Sequence, residues 1–264
     1  MQPYYGDEPH IIQKRPQNRR GYRSNYGKNR GRGLRVFLVL AVFAIIPVAA
    51  TYAFLSKTEF VAGKTYRVKA ETRYFLVTGT YDSIADANLA AAIVKERGGA
   101  GYIFNDGKFR IAAAVYKDKK TAETVAVKQK SKTEIYPITI KETALGSDKA
   151  IAKSLAAALN VYDEIFRDLT AVTEEYEKGN STEGALALAA TNAAEGMKNS
   201  AIEIAETDET GLIGEYLTAS ADTLIAVTTE ESYTLPVRVR CALCSLVYER
   251  YALSSKLSAA NREK

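Results

Sequence analysis

Short apolar runs alternate with Ala-rich amphipathic segments between residues 73 and 142. Four runs rich in aromatic and β-branched residues predict strands: YFLVT (74–78), GYIF (101–104), FRIAAAV (109–115) and EIYPITI (134–140). Two stripes at helical spacing separate them, over Ile84, Ala87, Ala91 and Val94 and, more weakly, over Ala122, Val125 and Gln129. Asp106 and Gly107 form a two-residue hairpin signal between the second and third runs. The order β-α-β-β-α-β predicts a split βαβ (ferredoxin-like) domain with one sheet and two helices on one face.

From residue 148 onward the pattern becomes helical throughout. A heptad seam with spacings of three and four passes through Leu155, Ala158, Tyr162, Ile165, Leu169, Val172 and Tyr176. EKGN (177–180) ends this helix, Ser181 is the predicted N-cap of the next, and TDETG (207–211) separates the second helix from the third. Pro236 lies near the start of a fourth. Short connections predict an all-α antiparallel bundle over residues 148–262 and an α+β protein overall.

The N-terminal part contains an uncharged apolar run of twenty residues, Val36–Leu55. At a rise of ~1.5 Å per residue this run spans a bilayer, so it predicts a single transmembrane helix. Residues 1–35 before it hold nine basic residues against Asp7 and Glu8, and their Gly-, Asn- and Arg-rich composition predicts disorder. The basic flank places this tail in the cytoplasm, and a linker (56–72) and all later residues outside it. A signal peptide cleaved after VAA (48–50) is the alternative.

The net charge of +5 is concentrated in that tail, which carries +7, so the remaining residues carry about −2. A basic segment next to a membrane helix favours contact with anionic lipid over nucleic-acid binding. The membrane is therefore a predicted partner and nucleic acid is not.

Two segments of the predicted sheet domain are similar to the motifs of a known protein family. YFLVTGTYDSIADANLAAAI (74–93) is similar to a strand of the form aromatic-x-V-Q-hydrophobic-G-S-F followed by an A-x-x-L helix. FRIAAAVYKDKKTAETVAVK (109–128) is similar to a second motif, R-V-x-V-G-P-F/Y. Together they resemble the SPOR (sporulation-related repeat) domain of bacterial envelope proteins, over about a quarter of the chain.

The scarcity of catalytic residues outside the tail favours a non-catalytic protein of the cell membrane. The resemblance implies binding of peptidoglycan glycan strands, and the single-pass anchor with its N-terminus inside is similar to the family's usual architecture. The resemblance also implies a link to cell division or sporulation, with the bundle available to an envelope or divisome protein. The family's common Gln falls at Val77, which departs from the motif, while Thr80 matches its small polar residue and Arg110 its Arg.

The family register also assigns faces to the predicted sheet. With Leu76 and Thr78 toward the helices, Phe75 and Val77 point to the opposite face. Aromatic rings pack on sugar C–H groups, and Arg donates to carboxyl or acetamido oxygens. The candidate glycan-binding residues are Phe75, Val77, Thr80, Lys108, Arg110 and Tyr136. In the alternative, the bundle or a partner chain covers this face, and the protein is a scaffold that binds no glycan.

The sequence contains few residues for catalysis outside the tail. The single His is His10, which excludes His-based hydrolysis and His-rich zinc sites from the rest of the chain. No catalytic residue, cofactor or metal site is predicted. A carboxylate-based muralytic enzyme remains an alternative, with Glu195, Glu203 and Glu215 as candidates. Cys241 and Cys244 lie one helical turn apart, which predicts buried core thiols or, alternatively, a local disulfide.

Overall fold

The structure is a computed structural model that describes residues 58–59, 65–128 and 133–260. The strands are β1 (Thr58–Glu59), β2 (Tyr66–Val68), β3 (Glu71–Tyr81), β4 (Tyr102–Asn105), β5 (Phe109–Tyr116), β6 (Glu134–Ile140) and β7 (Thr143–Gly146). The helices are α1 (Ile84–Glu96), α2 (Lys119–Lys128), α3 (Lys149–Glu177), α4 (Glu183–Glu203), α5 (Leu212–Thr229) and α6 (Leu235–Ala260). The predicted α+β class is confirmed.

The main sheet has four antiparallel strands in the order β4-β5-β3-β6. With α1 and α2 inserted after β3 and β5, the described chain follows the predicted β-α-β-β-α-β order. Arg97 caps α1, and Gly98 at φ 87° turns the chain away from it, as the Gly-Gly stop predicts. Both helices pack on the same face of the sheet, burying Ala87, Ala91 and Ala122.

A second sheet of three short strands has the order β1-β2-β7, and it contacts α3 through β2 and β7 and α6 through β7. Strands β1 and β2 fall in the part predicted as a linker, and no pattern predicts β7. Strands this short present only one or two inward side chains, such as Val68 and Leu145, so periodicity cannot reveal them.

Four helices, α3 to α6, pack together after the sheets. The predicted seam is the buried stripe of α3, apart from Tyr176, which is half-buried. Four buried alanines of α4 allow its backbone to approach its neighbours closely: Ala189, Ala190, Ala193 and Ala194. Asp148 caps α3 by accepting from the amides of Ala150 and Ile151.

Two local predictions need correction. The N-cap of α4 is Thr182 and not Ser181, because the Thr182 hydroxyl accepts from the Ala185 amide at 3.2 Å. The hairpin between β4 and β5 has three connecting residues, 106–108, instead of two. The extra residue is accommodated because the side chain of Asn105 accepts from the Gly107 amide at 2.9 Å.

Helix α6 packs against the second face of the main sheet, across β4, β5 and β6. It therefore belongs both to the helical part and to the sheet, which α1 and α2 cover on the other side. The sheet is a central layer between helices, and the described residues lie within one compact unit.

The predicted tail (1–35), transmembrane helix (36–55) and alternative signal peptide lie outside the described residues, as does Gln129. Among the residues that are described, no helix combines the length and apolar content needed to cross a bilayer.

Two glycines are predicted to respond in opposite ways to an added methyl group. Gly101 has φ 55°, and a Cβ there would lie 2.5 Å from the Ala91 carbonyl oxygen. We expect Gly101→Ala to lower the free energy of unfolding by about 2 kcal/mol. Gly196 lies inside α4 with nothing within 4 Å of an added Cβ, so Gly196→Ala should raise it by about 0.5–1 kcal/mol. Urea denaturation measures both, and equal stabilities would contradict the prediction.

Candidate binding site at the rim of the sheet

The six predicted glycan-binding residues separate into two groups in the structure. Phe75 and Val77 are only 0% and 2% exposed, and they lie beneath α6. Thr80, Arg110 and Tyr136 come together at the exposed end of the same face. Lys108 is exposed at the adjoining turn, where its ammonium lies 3.1 Å from an Asp82 carboxylate oxygen.

Arg110 is the centre of the group at the end of the sheet. Its guanidinium carbon lies 4.3 Å from the centroid of the Tyr136 ring. Its Nε donates to both carboxylate oxygens of Asp106, at 3.1 and 3.0 Å, and its Nη1 donates to the Thr80 hydroxyl at 3.1 Å. Glu134 approaches Nη1 to 3.7 Å, and the Tyr136 hydroxyl donates to Asp106. These residues (Thr80, Asp106, Arg110, Glu134 and Tyr136) are called the rim cluster below.

Strand register and one turn assemble the rim cluster. Arg110 on β5 pairs with Thr80 on β3 and with Phe104 on β4, so all three side chains share a face. Asp106 lies in the hairpin turn, four residues before Arg110, close enough for the paired hydrogen bonds. The Asp-Gly signal predicted that turn but did not indicate that its carboxylate binds Arg110.

Hydrogen bonding within the rim cluster favours the charged forms of Asp106 and Arg110 and the neutral form of Tyr136. Burial alone would raise the pKa of Asp106, but the hydrogen bonds from Tyr136 and Arg110 outweigh it and lower that pKa below its ordinary value. Burial lowers the pKa of Arg110, yet its hydrogen bond to Asp106 prevails and raises it. The hydrogen bond to Asp106 also raises the pKa of Tyr136. Arg110 is thus neutralised locally by Asp106. The Glu134 carboxylate, which is exposed, and the lone pairs of Asp106 that remain free are acceptors suited to sugar hydroxyls.

Helix α6 adds aromatic rings beside the rim cluster. The Tyr248 hydroxyl donates to the Asn105 carbonyl at 2.7 Å, and its ring centroid lies 5.5 Å from that of Phe104 and 5.7 Å from that of Tyr251. Phe104 in turn contacts the Tyr136 ring at 5.7 Å. Tyr136, Tyr248 and Tyr251 are all half-buried, so part of each side chain reaches solvent. The two α6 tyrosines were not predicted, although YERY (248–251) is an aromatic pair at helical spacing.

The glutamates and cysteines that the sequence analysis named as candidates for catalysis or a disulfide lie in the helices α4, α5 and α6 and not in the rim cluster. Glu195 and Glu203 are exposed on α4, and Glu215 is exposed on α5. Cys241 and Cys244 are free thiols in α6, with no disulfide between them. Cys244 is fully buried, and burial raises the pKa of its thiol well above the ordinary value. Cys244 therefore lies in the core, whereas Cys241 is half-buried.

The Asp106 carboxylate is predicted to make the stability of the rim pH-dependent. Because its pKa is lower in the folded state, its contribution is present above its unfolded pKa of about 4 and is lost as pH falls through the folded value. At pH 6, Asp106→Asn should lower the free energy of unfolding by about 0.5–1 kcal/mol, since the pair is partly exposed. The difference between variant and wild type should shrink as the pH is lowered below about 4 toward the folded pKa, as urea denaturation at a series of pH values would show. Asp222→Asn, which alters an exposed carboxylate 3.7 Å from Lys198, is the control.

No family model, curated protein or solved structure matches this chain.

Proposed function

We propose that this chain is a membrane-anchored, non-catalytic protein of the bacterial envelope that binds peptidoglycan glycan strands at the rim of its main sheet. The observation that carries the proposal is the rim cluster beside Tyr248, where aromatic rings, a guanidinium group and two carboxylates meet at the surface. The resemblance of residues 73–140 to SPOR domains and the apolar run at 36–55 support the glycan and the membrane anchor.

The rim offers the two kinds of contact that a glycan strand requires. The tyrosine side chains present ring edges and faces to the C–H groups of a sugar. The oxygens of Asp106 and Glu134 accept from sugar hydroxyls, and the Thr80 hydroxyl, which is exposed, can donate or accept. In this proposal the glycan is recognised through acceptors held by Arg110, in addition to the donation from Arg110 that the sequence suggests.

Sedimentation with purified sacculi tests this function directly. The full-length chain, kept in a non-ionic detergent, is mixed with intact sacculi and with amidase-treated sacculi, and the pelleted fraction is measured. We expect wild type to pellet and Tyr136→Ala to bind about fivefold or more weakly, in line with one lost stacking contact. Tyr233→Ala is the matched control, since Tyr233 is also half-buried beneath a cation, Lys95, at 5.1 Å.

Three results of this experiment would contradict the proposal. Wild type that remains in the supernatant with both kinds of sacculi overturns the glycan function. Equal loss of binding in the Tyr136 and Tyr233 variants assigns the effect to general destabilisation and removes the rim as the site. Muropeptides released into the supernatant would overturn the non-catalytic part of the proposal and favour the muralytic alternative.

A scaffold that binds no glycan is the second candidate, and one observation favours it. Helix α6 covers the centre of the face on which Phe75, Val77 and Phe104 lie, and all three side chains are buried. In this candidate the helical part serves an envelope or divisome partner, and wild type does not pellet with sacculi.

A further inference from the structure

Helix α1 has its larger apolar side chains on the outside of the molecule. Leu89 and Ile93, one turn apart, are 71% and 48% exposed, whereas the two buried residues of the helix are Ala87 and Ala91. An amphipathic helix on a sheet ordinarily buries its large apolar residues and exposes polar ones. The outer face of α1 is therefore apolar, although no described element covers it.

This pair of side chains differs from the other exposed apolar residues in the described part of the chain. Outside α1, no two large apolar residues that are exposed lie within one turn of the same helix. Isolated exposed apolar residues are common on soluble domains, whereas adjacent ones indicate a contact surface. Ala85 and Ala92 flank Leu89 on the same face, and their small side chains allow a second helix to approach closely.

The two ends of this face carry opposite charges. Asp86 lies in the first turn of α1 and Arg97 at its C-cap, and both side chains are exposed. Among the described residues, no side chain forms an ion pair with either of them. They are three helical turns apart, so both lie on the same side of the apolar face.

The two carboxylates near Arg97 already have cationic partners within the chain. Glu174 and Glu177 line the cleft beside Arg97. Glu177 accepts from Arg240, and a Glu174 oxygen lies 3.7 Å from the Lys178 ammonium. Since neither carboxylate forms an ion pair with Arg97, its exposed guanidinium remains available to a carboxylate of another chain.

Two copies of α1 that cross antiparallel satisfy the apolar and the charged features together. With a two-fold axis opposite residues 91–92, Leu89 of one copy lies against Ile93 of the other, and Ala92 lies near the axis. The same axis places Asp86 of one copy beside Arg97 of the other, because both pairs are centred on residue 91 or 92. Each contact then occurs twice, as a two-fold interface requires.

The charges favour a second copy over a lipid surface as the occupant of this face. Asp86 and Glu96, both exposed, border the apolar side chains, and their charge opposes an approach to anionic lipid headgroups. A second copy instead offers Arg97 to Asp86. It also offers the N-terminal end of its own α1 to Glu96, where a carboxylate is favoured.

We propose that α1 is a self-association surface through which two copies of this chain form an antiparallel helix pair. A helix of 13 residues buries less than the ~800 Å² per partner of a standard interface. The dimer is therefore weak, with a dissociation constant of about 10–100 µM. Helix α1 and the rim cluster lie on opposite faces of the main sheet, so the chain can self-associate whether or not it binds glycan.

Sedimentation equilibrium of the full-length chain, in a non-ionic detergent matched to the density of the solvent, measures this dimer. We expect Leu89→Gln to raise the dissociation constant about tenfold or more, because two leucines lose their apolar contact in each dimer. Ile202→Gln on α4 is the matched control, since Ile202 is 73% exposed, and this variant should dimerise as wild type does.

Charge reversal tests the antiparallel pairing itself. Asp86→Lys and Arg97→Glu should each weaken the dimer about tenfold, since each puts two like-charge pairs into the interface. An equimolar mixture of the two variants should dimerise about as tightly as wild type, because both charge pairs between the unlike chains are attractive.

Four results would overturn the proposal. They are wild type that stays monomeric at about 0.5 mM, Leu89→Gln that dimerises as tightly as wild type, Ile202→Gln that weakens the dimer as much as Leu89→Gln does, and a mixture no tighter than either charge variant alone. A dimer held together by the apolar run at 36–55 would survive the substitutions in α1, so it would give the second of these results.

Discussion

Replacement of Phe75 by Ala is expected to lower the free energy of unfolding by about 3–5 kcal/mol, the range for deletion of a fully buried aromatic ring. The Phe75 side chain is completely buried, and its ring centroid lies 5.2 Å from that of Phe104. Phe104 in turn packs on Tyr248 of α6, so the missing ring would leave a cavity between the sheet and that helix. Surrounding strands are hydrogen-bonded on both sides of β3 and cannot collapse into the space.

Urea denaturation followed by circular dichroism measures this loss. Phe109→Ala is the matched control, because Phe109 lies on the neighbouring strand β5 but is only half-buried. We expect the control to cost about half as much, in proportion to the apolar area it exposes. A loss at Phe75 below about 1 kcal/mol would mean that its ring is available to solvent and to a ligand, contrary to the structure.

Substitution of Asp163 by Asn is expected to cost about 3 kcal/mol, the lower end for breaking a buried ion pair from one side. Asp163 on α3 lies 2.5 Å from the Arg73 guanidinium, which Glu71 also approaches to 3.0 Å. Arg73 is 3% exposed, and a second guanidinium nearby, Arg250 of α6, is 5% exposed. Without Asp163, two buried cations would face one carboxylate where the sheet meets the helices.

A double-mutant cycle tests this interpretation. Burial lowers the pKa of Arg250, and its Nη1 has no hydrogen-bond partner among the described residues. In an Arg250→Met background, Asp163→Asn should therefore cost about 1–2 kcal/mol less than in wild type. Asp168→Asn, one turn and a half further along α3, is the control because its Arg167 partner is exposed. If Asp163→Asn lowers the free energy of unfolding equally in both backgrounds, Asp163 and Arg250 do not interact.

The strands and helices could largely be predicted from the sequence, because their signals are local. Runs rich in aromatic and β-branched residues predicted β3 and β5, and spacings of three and four from Leu155 to Tyr176 predicted most of α3. The role of α6 could not be predicted in this way. Buried residues such as Val239, Cys244 and Arg250 lie on several sides of this helix, since it packs on helices and on the sheet. A helix that is buried around most of its circumference has no single apolar stripe to interpret.

Only part of the candidate site could be predicted from the sequence, because sequence periodicity does not show which distant elements pack together. Strand parity correctly placed Phe75 on the face opposite α1 and α2, but parity cannot show whether another element covers that face. Tyr248 escaped prediction because it approaches from more than a hundred residues away in sequence. The sequence identified Asp106 only as a turn residue. Its carboxylate, which forms the ion pair with Arg110, was not predicted.

The position of α6 in the chain has a consequence for biosynthesis. About 95 residues separate the end of β6 from the start of α6, so the ribosome completes every strand of the main sheet well before the helix that covers it. At ~5–20 residues per second, Phe75, Val77 and Phe104 remain uncovered for roughly 5–20 s in each nascent chain. A chaperone that shields this face during that interval would therefore raise the yield of folded protein, whereas slow translation after residue 140 would lengthen the interval.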